Sequence, residues 1–180
     1  MAKRAAFLDR DGTINADPGY IGNPDDMVLF SRSARAIKML NDADVVVVIV
    51  TNQSGIGRGY FTRDDLDRVH DRFRELLKKE DAYVDDILYC PHKPSDGCKC
   101  RKPGTELLDI AVEKYGIDMA ASFVVGDKNT DLKLAENGGA KGILVKTGHG
   151  EEESLSTISP CAYVAEDLYD AVEWILGGGK

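Results

Sequence analysis

No apolar run in this 180-residue chain is longer than six residues, Val45 to Val50, bounded by Asp44 and Thr51. A membrane-crossing helix needs about 20, so no membrane partner is expected. The amino-terminal stretch MAKRAAFLDRDG lacks the apolar region of a signal peptide, and a cytoplasmic location is expected. Positive charge is scarce: 23 Lys and Arg face 31 Asp and Glu, giving a net charge of −8 and a pI near 4.9. Such a chain is poorly suited to nucleic acid or an anionic membrane surface, so no nucleic-acid partner is expected. Any tight cluster of cations runs against the average and is correspondingly informative. No GxxxxGK[ST] occurs, which excludes a P-loop nucleotide site. Glycines 55, 57 and 59 lack the third spacing of a dinucleotide fingerprint and read as a flexible loop. Internal repeats, low-complexity tracts and domain boundaries are absent as well. Cysteine is limited to four, and three of them fall between Cys90 and Cys100.

What is present is the composition of an ordinary globular protein. Hydrophobic residues make up 43%, enough for one core, and a single domain over residues 1–180 is expected, as a monomer. Ala5–Leu8, Val45–Val50, Ile87–Tyr89, Phe123–Val125, Ile143–Val145 and Ala162–Val164 read as strands. Helical spacing begins after Ser31 and Ser33, either of which can cap, and includes Ala34, Ile37 and Leu40. Thr62 opens a second helix, with Asp65 at the capping-box position and Leu66, Val69, Phe73, Leu76 and Leu77 as its stripe. Further helices are expected over Thr105–Tyr115, stopped by Gly116, over Asp131–Asn137, stopped by Gly138-Gly139, and over Asp167–Leu176. Glu151–Ser159 reads as a long surface loop and Gly177–Lys180 as a loose tail. The β-branched, unbroken Val45–Val50 strand fits burial on both faces. Regular alternation of strand and helix predicts an α/β fold, an open doubly wound parallel sheet.

In such sheets ligands bind beyond the carboxyl ends of the strands. There the sequence carries Asp9 and Asp11, then Thr51-Asn52-Gln53-Ser54, then Arg101-Lys102-Pro103, then Asp127 with Asp131 four residues on. Carboxylate oxygens suit Mg²⁺. Lysine and hydroxyl donors suit the oxygens of a phosphoryl group in transfer. Each residue alone has a plainer reading: a strand-end Asp forms turns, and a lone Lys is a solvated charge. A calcium loop beginning at Asp9 would need Gly at 14 and Glu at 20, where the chain has Ile14 and Tyr20. The four-part order is what points to phosphoryl transfer.

DRDGT after a first strand, TNQSG after a second, RKP later and GDKxxD after a fourth resemble the four motifs of haloacid-dehalogenase-like (HAD) phosphatases, from about Ala5 to Gly148. The resemblance implies a HAD-like Rossmannoid core without a cap domain. It implies that Asp9 is a nucleophile forming an aspartyl-phosphate, and that Asp11 is the general acid and base. Two residues apart on an extended stretch, both carboxyls can reach one phosphate. It implies Mg²⁺ held by Asp9, the Asp11 backbone carbonyl and Asp127, with Asp131 supporting the metal from behind. Thr51 and Lys102 would bind the phosphoryl oxygens. Substrate contacts would fall to Asp17, Pro18, Gly19, Tyr20, Asn52, Gln53, Ser54, Arg101 and Lys128.

Cys90, His92, Cys98 and Cys100 offer four soft ligands, the pattern of a closed structural Zn²⁺ site. Free cysteines in a loop are the plainer alternative; Cys161, far away, reads as an ordinary buried thiol. The knuckle runs directly into Arg101 and Lys102, and a metal closing the base of that loop would set the angle at which both cations enter the site. Within the HAD family, the knuckle joined to RKP resembles a zinc-loop branch acting on small phosphate esters, heptose bisphosphate or histidinol phosphate. The five residues between His92 and Cys98 fit the histidinol-phosphate type. Gly19-Tyr20-Ile21, QSGIGRGYF and Asp127-Lys128 fit the phosphorylated-sugar type. A non-catalytic zinc-loop module on the same fold is the reading from another class.

Overall fold

The computed structural model describes residues 2–178; the last two residues of the expected tail, 179 and 180, lie outside them. Six strands form one sheet: β1 (Ala5–Leu8), β2 (Val46–Asn52), β3 (Asp86–Cys90), β4 (Phe123–Gly126), β5 (Lys141–Val145) and β6 (Tyr163–Ala165). Their order is β3-β2-β1-β4-β5-β6, and every adjacent pair runs parallel. The order reverses between β1 and β4, and a crevice opens there at the carboxyl edge.

Alternation along β1 shows why the sheet must be covered twice. Ala6 and Leu8 join one core with Ile37, Phe73, Leu77 and Ile175; Ala5 and Phe7 join the other with Leu107, Leu108, Leu134 and Ala135. Helices α1 (Ser33–Asp42), α2 (Arg63–Lys78) and α6 (Leu168–Leu176) cover the first face. Helices α3 (Glu106–Tyr115) and α4 (Asn129–Gly138) cover the second. Between β1 and α1 there is only a loop with a single 3₁₀ turn, Pro24–Asp26, and between β2 and α2 only turns. Neither connection carries a cap.

The predicted boundaries hold where local chemistry decides them. Thr62 and Asp65 form the expected reciprocal cap of α2, and Gly116 and Gly139 end α3 and α4 with positive φ. Other expectations fail. Neither Ser31 nor Ser33 caps α1: the helix starts behind Arg32 without a side-chain cap, and Ser33 is buried. α4 starts two residues earlier than expected, because Asp131 is its third residue and accepts the backbone N–H of Lys128. Glu151–Ser159 is not all loop; it holds a short helix α5 (Gly150–Glu153) and a 3₁₀ turn, fastened by Glu153 to Asn129. Cys161 is half-buried, not in the core.

Candidate active site

β1 register sets the site. Leu8 pairs with Ile49 and Val125, so Asp9 emerges between the ends of β2 and β4, its N–H donating to the Val125 carbonyl at 2.9 Å. Asp9, Asp127 and Asp131 thereby place carboxylate oxygens within 4.8 Å of one another, all three buried. Lys102 is buried among them, its Nζ 2.8 Å from Asp9 Oδ1 and 2.7 Å from Asp131 Oδ1. Burial works against the Lys102 ammonium, but the adjacent Asp131 and Asp9 charges outweigh it and raise its pKa. Burial pushes the Asp131 carboxyl up to about 6 despite that lysine. Asp127 is pushed up to about 7, first by burial and then by the Asp9 charge.

The cluster suits a hard cation. Asp127 Oδ2 accepts the His149 N–H at 2.9 Å, while its buried Oδ1 has no hydrogen-bond partner among the described residues. Backbone crowds this carboxylate on two sides: a Cβ on Gly12 or on Gly148 would lie 2.3 Å from Asp127 Oδ2, and both glycines have positive φ. Asp131 spends its oxygens on Lys102 and on the Lys128 N–H, so it positions the lysine and caps α4.

A pocket of about 510 Å³ lies over the cluster, lined by Asp9, Asp11, Asp17, Gly19, Tyr20, Thr51, Asn52, Gln53, Arg101, Lys102, Lys128 and Thr130. Of the residues expected to contact substrate, Pro18 and Ser54 do not line it. Asn52 lines it but also fixes Lys102 in place, its Oδ1 accepting the Lys102 N–H at 3.1 Å. Lys128 Nζ stands 3.5 Å from Asp17 Oδ2 at the rim. Sequence reasoning missed Thr130, and it missed Arg10 and Asn15, which bind Asp11. Arg10 Nε and Nη2 each lie 2.9 Å from an Asp11 oxygen; Asn15 Nδ2 and Gln53 Nε2 add bonds of 2.9 and 2.8 Å. Burial raises the Asp11 pKa, but the Arg10 charge and these donors more than reverse it, leaving Asp11 below the ordinary carboxylate range. Arg10 stands between the two aspartates of DRDG, a place that could have marked it.

The knuckle closes as the sequence predicts. Cys90 Sγ lies 3.6 Å from His92 Nδ1 and 3.5 Å from Cys98 Sγ; Cys100 Sγ lies 3.3 Å from His92 Nδ1 and 3.5 Å from Cys98 Sγ. A tetrahedron with metal–ligand lengths of about 2.0–2.3 Å has edges of about 3.3–3.8 Å, so the four atoms could hold one ion. Cys90 and Cys100 sit in the core on the α3 face, and burial pushes the Cys90 thiol up to about 12. The glycines at 55–59 are not a slack loop. Gly57 donates its N–H to the Pro91 carbonyl at 3.0 Å, and a Cβ there would lie 2.8 Å from that oxygen. Gln53 N–H bonds the Cys90 carbonyl at 2.7 Å, and Arg101 Nη1 reaches the His92 carbonyl at 3.4 Å.

The HAD-hydrolase-like family model matches residues 99–171. D-glycero-D-manno-heptose-1,7-bisphosphate 7-phosphatase of Thermosynechococcus vestitus is 40% identical, covering 97% of this chain and 96% of its own. D-glycero-beta-D-manno-heptose-1,7-bisphosphate 7-phosphatase of Pseudomonas aeruginosa is 42% identical, covering 93% and 95%. The crystal structure of D,D-heptose 1,7-bisphosphate phosphatase from B. bronchiseptica complexed with magnesium and phosphate superposes with a TM-score of 0.92. It is 36% identical and covers 97% of this chain and 99% of its own. With this fold and this identity over nearly its whole length, the chain belongs to the HAD-like D-glycero-D-manno-heptose-1,7-bisphosphate 7-phosphatase family, whose members are phosphoric monoester hydrolases.

Proposed function

We propose that this chain removes the 7-phosphate of D-glycero-D-manno-heptose 1,7-bisphosphate through an aspartyl-phosphate on Asp9, in one catalytic unit. The observation that carries it is the Lys102 ammonium 2.8 Å from Asp9 Oδ1, under a pocket whose floor also holds Asp11 and Thr51. Beside Asp9, the buried Lys102 ammonium offsets part of the charge of an incoming phosphate dianion.

Asp9 attacks phosphorus as the bond to the sugar oxygen breaks, and Asp11 supplies the proton that oxygen needs. Asp11 then takes a proton from the water that attacks the aspartyl-phosphate, releasing inorganic phosphate and restoring Asp9. Thr51 and Lys102 hold the phosphoryl oxygens. Mg²⁺ held by Asp9, Asp127 and the Asp11 carbonyl would neutralise the acidic cluster and polarise the phosphoryl group. The knuckle would take Zn²⁺, whose contribution is to stiffen the loop that carries Arg101 and Lys102. Arg101 and Lys128, which both line the pocket, would meet the sugar and its 1-phosphate.

The test is kcat/KM for the heptose bisphosphate and for histidinol phosphate side by side, with Mg²⁺. A preference of about a hundredfold for the bisphosphate, about 2.7 kcal/mol of differential transition-state binding, is expected. The reverse preference would overturn the substrate assignment and make the short gap between His92 and Cys98 the better guide.

A further inference from the structure

Asp11 is held on every side. Its Oδ1 takes Arg10 Nε and Asn15 Nδ2; its Oδ2 takes Arg10 Nη2 and Gln53 Nε2. A carboxylate has about four lone-pair sites, so none is left for a leaving oxygen or a water. One of these four bonds has to yield, and the three residues that make them are not alike. Arg10 has no exposed surface, its Nη1 is without a partner among the described residues, and Asp11 is its paired charge. If Asp11 swung away from it, a buried guanidinium would be left uncompensated. Asn15 is buried and tied into the turn that carries Asp11. Gln53 differs: the same Nε2 that donates to Asp11 Oδ2 also donates to Thr51 Oγ1 at 3.0 Å. Oδ2 is therefore the oxygen on the Thr51 side, and the Gln53 amide bridges it to Thr51 Oγ1.

We propose that Arg10 is a positioning residue for the reaction. It keeps its grip on Asp11 throughout, Oδ2 is the oxygen that exchanges protons, and the Gln53 amide is a placeholder that yields its position on Oδ2 first to the leaving sugar oxygen and then to the attacking water. The idea rests on Asp11 being the acid and base. In the first half, Oδ2, released by Gln53, takes up a proton from solvent as substrate docks and passes it to the sugar oxygen as its bond to phosphorus breaks and the Asp9–phosphorus bond forms. In the second, a water proton passes to Oδ2 as the water–phosphorus bond forms and the Asp9–phosphorus bond breaks. The proton count on Asp11 is restored after each turnover, when that proton returns to solvent. Gln53, expected to contact substrate, acts here mainly as the exchangeable partner of Asp11.

The experiment measures kcat/KM, which reports the first half-reaction, across aryl and alkyl monophosphates of rising leaving-group pKa. p-Nitrophenolate leaves without a proton; an alkoxide does not. Arg10→Met is expected to lose about 100-fold on alkyl phosphates and less than about threefold on p-nitrophenyl phosphate. Arg10→Lys should recover part of the alkyl loss, and Gln53→Leu should leave the leaving-group dependence near that of the parent. Should Arg10→Met fail to fold, Arg10→Lys and Asn15→Leu are read by the same slope, each expected to be steeper than the parent. Equal losses on all leaving groups would make Arg10 merely structural and overturn the proposal, as would no loss. A Gln53→Leu slope as steep as that of Arg10→Met would make Gln53 a clamp and overturn its placeholder role. Asp11→Asn separates the two levels: if it does not steepen the dependence, the acid/base assignment itself has failed, and the positioning claim with it.

Discussion

The molecule has two places where a metal ion fits, and they are built on opposite principles. The knuckle draws all four ligands from residues 90–100, in one loop, with sulfur and nitrogen atoms already at tetrahedral separations. The carboxylate cluster draws Asp9 from the end of β1 and Asp127 and Asp131 from beyond β4, over a hundred residues away. Neutral thiols tolerate being brought together. Three buried carboxylates do not, and Lys102 is the cation that keeps them from repelling each other outright. The knuckle is local and preassembled; the cluster crowds like charges together, a repulsion that a divalent cation would relieve.

Replacing one residue in each site separates chemistry from bracing. Asp9→Asn should lower kcat by at least about 10⁴-fold, since it removes the nucleophile, with circular dichroism unchanged. Turnover close to the parent would dismiss Asp9 as nucleophile and revive the non-catalytic reading. If the knuckle takes zinc as proposed, elemental analysis should count about one zinc in the parent and none in Cys98→Ser, whose KM should rise about tenfold before kcat falls, because the loop loosens around Arg101. Unchanged zinc content would remove Cys98 from the ligand set.

The same contrast explains what could be read from sequence. The knuckle was fully legible, because its ligands are neighbours and spacing alone constrains them. The strands and their parallel direction were legible from the alternation of strand and helix and from one β-branched run; the strand order was not. Asp9, Asp11, Thr51 and Asp127 stood out because they lie at or just beyond strand ends, and Lys102 because it follows the knuckle. What escaped were second partners. Arg10 and Asn15 reveal themselves only once the turn after β1 folds back on Asp11, and Asn52 serves Lys102 across a distance of 50 residues. The start of α1 depended on the backbone angles at Arg32, which no preference for serine reports. Gly55 and Gly57 read as slack because a glycine pressed against another chain segment looks the same in sequence as a free one. Gly55 lies so close to the Phe61 ring that a Cβ would come within 2.2 Å of it.

Stored repulsion makes a prediction opposite in sign to the usual effect of mutation. The folded-state pKa of Asp127 is pushed from 3.8 up to about 7, so its ionised form costs stability. The cost is absent below about pH 4, grows as pH rises toward 7 and is complete above it. At mildly alkaline pH, without Mg²⁺, Asp127→Asn should therefore melt a few degrees higher than the parent. The amide can still accept the His149 N–H. Adding Mg²⁺ should raise the melting temperature of the parent and leave the variant unmoved. A variant that melts lower in the absence of metal would show that Asp127 is chiefly a structural acceptor.

The smallest effect lies where the charge of the active site reaches into the core. His70, on α2, is buried, with Nε2 lacking a hydrogen-bond partner among the described residues and its ring 5.8 Å from that of Tyr89. Burial first, then the Arg10 and Arg74 charges, lower its pKa to about 3. Its folded pKa lies below the unfolded 6.5, so the stability linked to neutral His70 is fully present above 6.5 and is lost as pH falls toward 3. The limit is tenfold in the folding constant per pH unit, about 1.4 kcal/mol. His70→Phe keeps an aromatic ring there and removes the titrating group, so its urea-unfolding stability should fall less steeply between neutral pH and about pH 4.5. The knuckle ligands also take up protons and release metal in acid, but they do so in both proteins, so the difference between the two pH curves isolates His70. Superimposable curves would mean that water reaches the imidazole and that the Arg10 charge is confined to Asp11.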